Sequence, residues 1–235
     1  MFLSLVFSLM IFQSGIFKYW LAVYGFWPSS IRLSVLLILP SVVITLNRLL
    51  FPDSWSIVQN LQYYSTPSAW NPGSLVRRFL WLPFGRPLTA SWIPGTLWRK
   101  QLLRLFGASI GDGGRIKPRV CITSPWNLSI GDHCWLGEEL WIDNIAKVII
   151  GDNVCLSQGS YLCTGNHDFR SPQFDLRLGP ISVHSEAWIA AQSVLAPGVT
   201  VGAGAIVSLG SVVLADVPAH SIVRGNPAVV INQRW

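Results

Sequence analysis

A large aliphatic residue returns every six positions through the second half of this 235-residue chain. The first runs are Ile110, Ile116, Ile122, Leu128; then Ile130, Leu136, Ile142, Val148; then Ile150, Leu156, Leu162. After an interruption the period resumes at Val183, Ile189, Leu195, Val201, Val207 and Val213. Neither a helix, with a period of about 3.6, nor a strand, with a period of 2, produces this spacing. It fits a chain that runs straight briefly, turns, and repeats, so that one aliphatic residue per side points inward. Small residues four positions later (Ser160, Ser193, Ala205, Ser211) suit a corner with little room. Glycine directly after the aliphatic residue, at 111, 131, 137, 151 and 202, suits a tight backbone. The triplet Ile-Gly-Asp at 110–112, 130–132 and 150–152 sets a coil of 20 residues, three hexads with a two-residue corner insertion. The expected fold is mainly β, a parallel β-helix whose coils bury their aliphatic stacks only against their neighbours and whose open ends need covers.

The rest of the chain differs in composition. Residues 1–104 carry nine Lys/Arg against one acid, Asp53, whereas residues 105–235 carry eight against ten. Nucleic-acid binding would place the positive charge on the repeat domain, so no nucleic-acid partner is expected. Met1–Ile31 has only Lys18 as a charge and Leu33–Asn47 has none, which suits an apolar, helical extension. Residues 1–57 are thus expected to attach the protein to the inner face of the cytoplasmic membrane, unless they are not translated. Residues 58–107 form a basic, Trp-rich lead-in, acid-free from Ser54 to Gly111, that fits a membrane surface. Within it Gly95–Phe106 reads as a short helix with Trp98, Leu102 and Leu105 on one side, capping the repeat domain of 108–235. Four cysteines (121, 134, 155, 163) without CxxC spacing read as reduced, buried thiols.

Four histidines are candidates for acid–base work. His133, His184 and His220 fall at corners or beside inward positions and read as structural. His167 lies in TGNHDFRSPQFDLRLGP, where the period breaks, at the root of a loop over 166–182. No Gly-x-Ser-x-Gly occurs and no Cys/His pair is adjacent, so nothing indicates a covalent acyl-enzyme. No two histidines stand five residues apart, which disfavours a zinc hydratase of the carbonic anhydrase type and any metal.

The segments LLRLFGASIG (102–111), IGDHCWLGEELWIDN (130–144), IGDNVCLSQGSYLCTGNHDF (150–169) and VGAGAIVSLGSVVLADVPAHSIVRGNPA (201–228) resemble the hexapeptide-repeat acyltransferases. The nearest likeness is to the colanic acid biosynthesis acetyltransferase type, related to the maltose, galactoside and nodulation acetyltransferases. That resemblance covers about residues 58–235 and implies a left-handed β-helix, a homotrimer with sites between subunits, and acetyl-CoA as co-substrate without a metal. It implies O-acetylation of a sugar or lipid-linked saccharide in exopolysaccharide synthesis. It makes His167 the general base and points to acceptor contacts among Asp143, Asn144, Glu139 and Asn166, Asp143 and Asn144 being inseparable because the coil is about one residue longer here. It places the donor along Trp188, the backbone of Ala190, Ser208 and Gly210, Arg224, and Asn226 of the closing Gly-Asn-Pro-Ala. A catalytically silent scaffold at the membrane is the competing reading, and the break at His167 speaks against it.

Overall fold

The computed structural model describes residues 59–235. The expected apolar segment 1–57 therefore lies outside the described residues. Among the described residues no helix is long and apolar enough to cross a membrane.

The solenoid is a three-faced prism of about six turns. Its first face stacks β1 (Ser109–Ile110), β4 (Leu128–Ile130), β7 (Val148–Ile150), β12 (Ile181–Val183) and β15 (Thr200–Val201). The second stacks β2 (Arg115–Ile116), β5 (Trp135–Leu136), β8 (Cys155–Leu156), β13 (Trp188–Ile189), β16 (Ile206–Val207) and β18 (Ser221–Gly225). The third stacks β3 (Cys121–Ile122), β6 (Trp141–Asp143), β9 (Tyr161–Cys163), β14 (Val194–Leu195) and β17 (Val212–Val213). All pairings within these stacks are parallel, and register follows the period: Leu156 stands opposite Leu136 on one side and Ile189 on the other. Every aliphatic residue named from Ile110 to Val213 is buried, and the small residues at 160, 193, 205 and 211 are fully enclosed.

The corners explain the Ile-Gly-Asp triplets. A Cβ on Gly131 would fall 2.2 Å from Asp152 Oδ1 and 2.8 Å from the Gly151 carbonyl carbon, so glycine answers to the close approach of the next coil. The aspartates form a ladder: Asp132 Oδ1 accepts from the Asp112 N–H and Asp152 Oδ1 from the Asp132 N–H, each at 2.7 Å. The left-handed backbone falls two positions later, which the glycine pattern did not mark. Arg119, His133, Glu139, Asn153, Glu186, Gln192 and His220 adopt φ of 57° to 66° there. Side chains adopt this region reluctantly. Here it aims the N–H along the prism axis, as when His133 N–H donates to the Asp112 carbonyl (2.7 Å) and Asn153 N–H to that of Asp132 (2.8 Å).

The N-terminal end is covered by α1 (Leu75–Leu80), α2 (Arg86–Thr89) and α3 (Thr96–Leu105), α1 and α2 being joined by the turn Trp81–Gly85. Helix α3 does form, but the side it buries is Arg99, Lys100 and Leu103; Leu105 is 78% exposed. The first coil leaves carbonyl groups with no coil above them, and basic side chains meet that need better than leucine. Arg104 Nε donates to the Ile110 carbonyl at 3.0 Å and Lys100 pairs with Asp112 at 3.5 Å. The fully buried Arg99 ties α2 to α3, donating to the carbonyls of Thr89 (3.1 Å), Ser91 (2.7 Å) and Gly95 (2.8 Å). A lysine cannot span three such acceptors. Arg99→Lys is therefore expected to lower stability by about 1–3 kcal/mol, the cost of orphaned buried acceptors, read as a shift of the urea midpoint at constant slope.

All four cysteines are free, but only Cys134 is fully buried; the other three are half-buried. Burial pushes the Cys134 thiol up from its usual range, and its Sγ–H donates to the Gly151 carbonyl at 2.9 Å.

Candidate functional site

The break in the period is a β-hairpin rather than an irregular loop. After Leu162 the chain leaves the prism as β10 (Gly165–His167) and returns as the antiparallel β11 (Leu176–Leu178), with His167 opposite Leu176. The tip is held by Ser171 Oγ–H donating to Asp175 Oδ2 (2.6 Å) and by Arg177 bridging to Asp168 Oδ2 (2.5 Å). The Arg170 N–H, which donates to Asp168 Oδ1 at 3.0 Å, and the Arg177 guanidinium hold the Asp168 carboxyl below its usual range.

His167 is half-buried, and its ring is fixed on two sides. Nδ1 lies 2.8 Å from the Phe174 carbonyl, and the two rings stack at 4.3 Å with an interplanar angle of 6°. A carbonyl only accepts, so the neutral imidazole carries its proton on Nδ1 and leaves the Nε2 lone pair available. Phe174 takes φ 55°, uncommon for a bulky residue, and that backbone presents its carbonyl to the ring. Asn166 is exposed, and its Oδ1 accepts from the His167 N–H at 2.8 Å.

Asp143 and Asn144, adjacent in sequence, separate in the structure. Asn144 is fully buried at the corner; its Oδ1 accepts from the Ser124 N–H (2.9 Å) and its Nδ2 donates to the Ser124 carbonyl (2.6 Å). It closes the two-residue insertion and is wholly enclosed, out of reach of a sugar, so it leaves the expected acceptor set. Asp143 faces outward on the third face, accepting from Thr123 Oγ1 (2.8 Å) and Tyr161 Oη (3.3 Å). Burial, followed by the neighbouring Cys163 and Asp143, pushes the Tyr161 phenol up, so it stays a donor. Glu139 occupies a different corner, between the second and third faces, where it pairs with Arg119 of the preceding coil. One protomer thus does not bring Glu139 to His167.

On the donor side, Trp188 is exposed on the second face with Nε1–H on Ser157 Oγ (2.9 Å). The amide N–H groups of Ala190, Ser208 and Gly210 already donate to the carbonyls of Val207, Val223 and Ala191. These turns can therefore offer a ligand acceptors but not those donors. Arg224 is exposed near the end of β18 and has no ion-pair partner among the described residues; Asn226 lies in the turn to β19 (Ala228–Gln233). Arg234, by contrast, is tied down on the Glu186 and Gly204 carbonyls (2.8 and 3.1 Å). His133 and His220 sit against Gly113 and Gly204, where a Cβ would strike their rings, and His184 is exposed. No three His, Cys, Asp or Glu side chains converge as a metal would require among the described residues.

No protein-family model matches the chain. It is 41% identical over 179 residues to the putative colanic acid biosynthesis acetyltransferase of Escherichia coli, a match spanning 75% of this chain and 98% of that protein. The chain belongs to the hexapeptide-repeat acetyltransferases. The galactoside O-acetyltransferase of Escherichia coli is 30% identical over 139 residues, covering 57% of this chain and 68% of that one. A hexapeptide-repeat acetyltransferase from Vibrio cholerae, solved in complex with acetyl coenzyme A, superposes with a TM-score of 0.62 at 26% identity, covering 68% of this chain and 88% of that one. The solenoid matches the left-handed β-helix of such acetyltransferases.

In this acetyltransferase three residues near the hairpin escaped sequence reasoning. Tyr64, from the lead-in, brings its ring to 5.9 Å from that of His167, while the Asn60 N–H donates to the Pro172 carbonyl at the hairpin tip (2.7 Å). Nothing local in the sequence marks that contact. Phe174 and Tyr161 lay within motifs already singled out, and only their hydrogen bonds distinguish them.

Proposed function

We propose that this acetyltransferase moves an acetyl group from acetyl-CoA to a sugar hydroxyl in exopolysaccharide biosynthesis, with His167 as general base. The observation that supports it is the pinned ring: Nδ1 on the Phe174 carbonyl, and Nε2 without a partner among the described residues. As the acceptor oxygen attacks the thioester carbonyl carbon, Nε2 takes its proton. The tetrahedral intermediate then expels the CoA thiolate, breaking the C–S bond, and the imidazolium returns the proton to sulfur. Asp143, with Thr123 and Tyr161, offers the polar patch for sugar hydroxyls, assisted by Asn166. Trp188 and the exposed Arg224 suit a pantetheine arm and a phosphate of CoA.

Exposed aromatic residues on otherwise regular faces, Trp135, Trp141 and Trp188, suit prisms packed side by side as a homotrimer.

Thiol release from acetyl-CoA by the purified protein, with and without candidate sugars, tests the reading. Release is expected to depend on the sugar; absence with every saccharide tried, lipid-linked ones included, counts against it. Arg224→Gln is expected to raise KM for acetyl-CoA about two- to fivefold with kcat unchanged, as loss of one exposed charge pair would.

A further inference from the structure

The lead-in carries an apolar surface that the catalytic reading does not use. Leu75, Val76, Phe79, Leu82, Phe84 and Leu88 are all exposed, Leu75 and Phe79 by 75% each. Single exposed leucines are ordinary, but six such side chains within α1, α2 and the turn between them form a patch of the kind that marks an interaction site. The segment is not loosely attached. Trp81 points the other way, fully buried, its Nε1–H on the Thr123 carbonyl at 3.0 Å, and the Arg99 carbonyl clamp holds the far end of α2. The prism therefore holds the apolar side outward.

An open groove of about 680 Å³ runs along it between Leu75, Phe79, Leu82 and Pro83, with Arg78 in its wall. The Arg78 Nε is buried and has no hydrogen-bond partner among the described residues. Such orphaned donors are rare in folded proteins and point to a missing acceptor. Arg86 lies in the same segment, whereas the Arg77 guanidinium lies against Gly107 on the prism side. None of the three arginines is in an ion pair among the described residues. No acid occurs anywhere from Ser54 to Gly111.

We infer that this surface docks on an anionic phospholipid bilayer, with the apolar side chains among the acyl chains and Arg78 and Arg86 at the phosphates. The charge pattern selects that occupant. A second copy meeting the same patch across a two-fold axis would set arginine against arginine. A bilayer supplies apolar depth and negative charge together, the combination that interfacial helices use. In sequence, the lead-in is preceded by residues 1–58, the most apolar stretch of the chain. The same lead-in touches the catalytic hairpin through Asn60 and Tyr64, so docking sets His167 at a fixed distance from the membrane, as a lipid-carried acceptor would require.

Site-specific photocrosslinking in the full chain tests this at the patch itself. With p-benzoylphenylalanine in place of Phe79, and separately of Leu82, irradiation beside vesicles that are one quarter phosphatidylglycerol in phosphatidylcholine is expected to give phospholipid adducts. Their yield should exceed that with pure phosphatidylcholine by at least about tenfold, and Arg78→Gln/Arg86→Gln should abolish the difference. Adducts to a second copy or another protein, an absence of adducts, or a yield indifferent to lipid charge would each overturn the inference. Acetyl transfer to a soluble sugar, measured on the same preparations, reports on the catalytic reading separately.

Discussion

Replacing His167 by asparagine is expected to lower turnover by about 10²–10⁴-fold, the usual span for loss of a general base. Asparagine is close in size and can still donate to the Phe174 carbonyl, so the hairpin keeps its shape, but it has no basic nitrogen to present where Nε2 stood. Oligomeric state by light scattering and acetyl-CoA binding by calorimetry should therefore be unchanged. His133→Asn and His220→Asn alter corner residues packed on neighbouring coils, and His184→Asn an exposed one, so each should retain most activity. Retention of more than about a tenth of wild-type turnover by His167→Asn would assign the proton to another group, because even the low end of general-base catalysis exceeds that factor.

The largest effect on stability is expected at the centre of the prism. Leu156→Ala should cost about 2–5 kcal/mol, the range for a fully buried leucine truncated in a close-packed core. Leu156 is wholly enclosed, stacked between Leu136 and Ile189 in neighbouring coils of the second face. The strands there are two residues long and fixed on both sides by inter-coil hydrogen bonds, such as the Ser157 N–H to the Ile189 carbonyl at 2.8 Å. They cannot collapse into the vacated space without breaking register, which places the cost toward the upper end. The check is the urea midpoint at constant slope and fixed protein concentration, the latter because oligomerisation adds to apparent stability. Leu105→Ala, on the exposed side of α3, serves as the contrast and should change stability by less than about 0.5 kcal/mol.

Much of the site was visible in the sequence as an interruption. His167 stood out because the six-residue period failed around it, and the structure places it on a hairpin that projects from the prism. The hairpin itself was not visible, since NHDFRSPQFDL has no tight-turn signature of the Asn-Gly kind and its pairing is made by the solenoid holding Gly165 and Leu178 together. Asp143 and Asn144 were indistinguishable for a related reason: adjacent residues at a corner point in opposite directions, and which one turns inward depends on the coil beneath, where Ser124 receives the Asn144 amide.

The sequence by itself determined the repeat and its core, because in a solenoid each inward position is set by residues within the same hexad and the coil before it. All of those named aliphatic residues are buried. The tertiary structure decided what depends on long-range approach. It chose Arg99 and Lys100 over Trp98 and Leu105 as the inward side of α3, because the carbonyls of Thr89, Ser91 and Gly95 need donors and the Asp112 carboxylate needs a cation. It also brought Tyr64 to the ring of His167 and turned six apolar residues of α1, α2 and their connecting turn outward. Side-chain chemistry is the same in both positions. What differs is whether another part of the chain arrives to cover it, and no local pattern encodes that arrival.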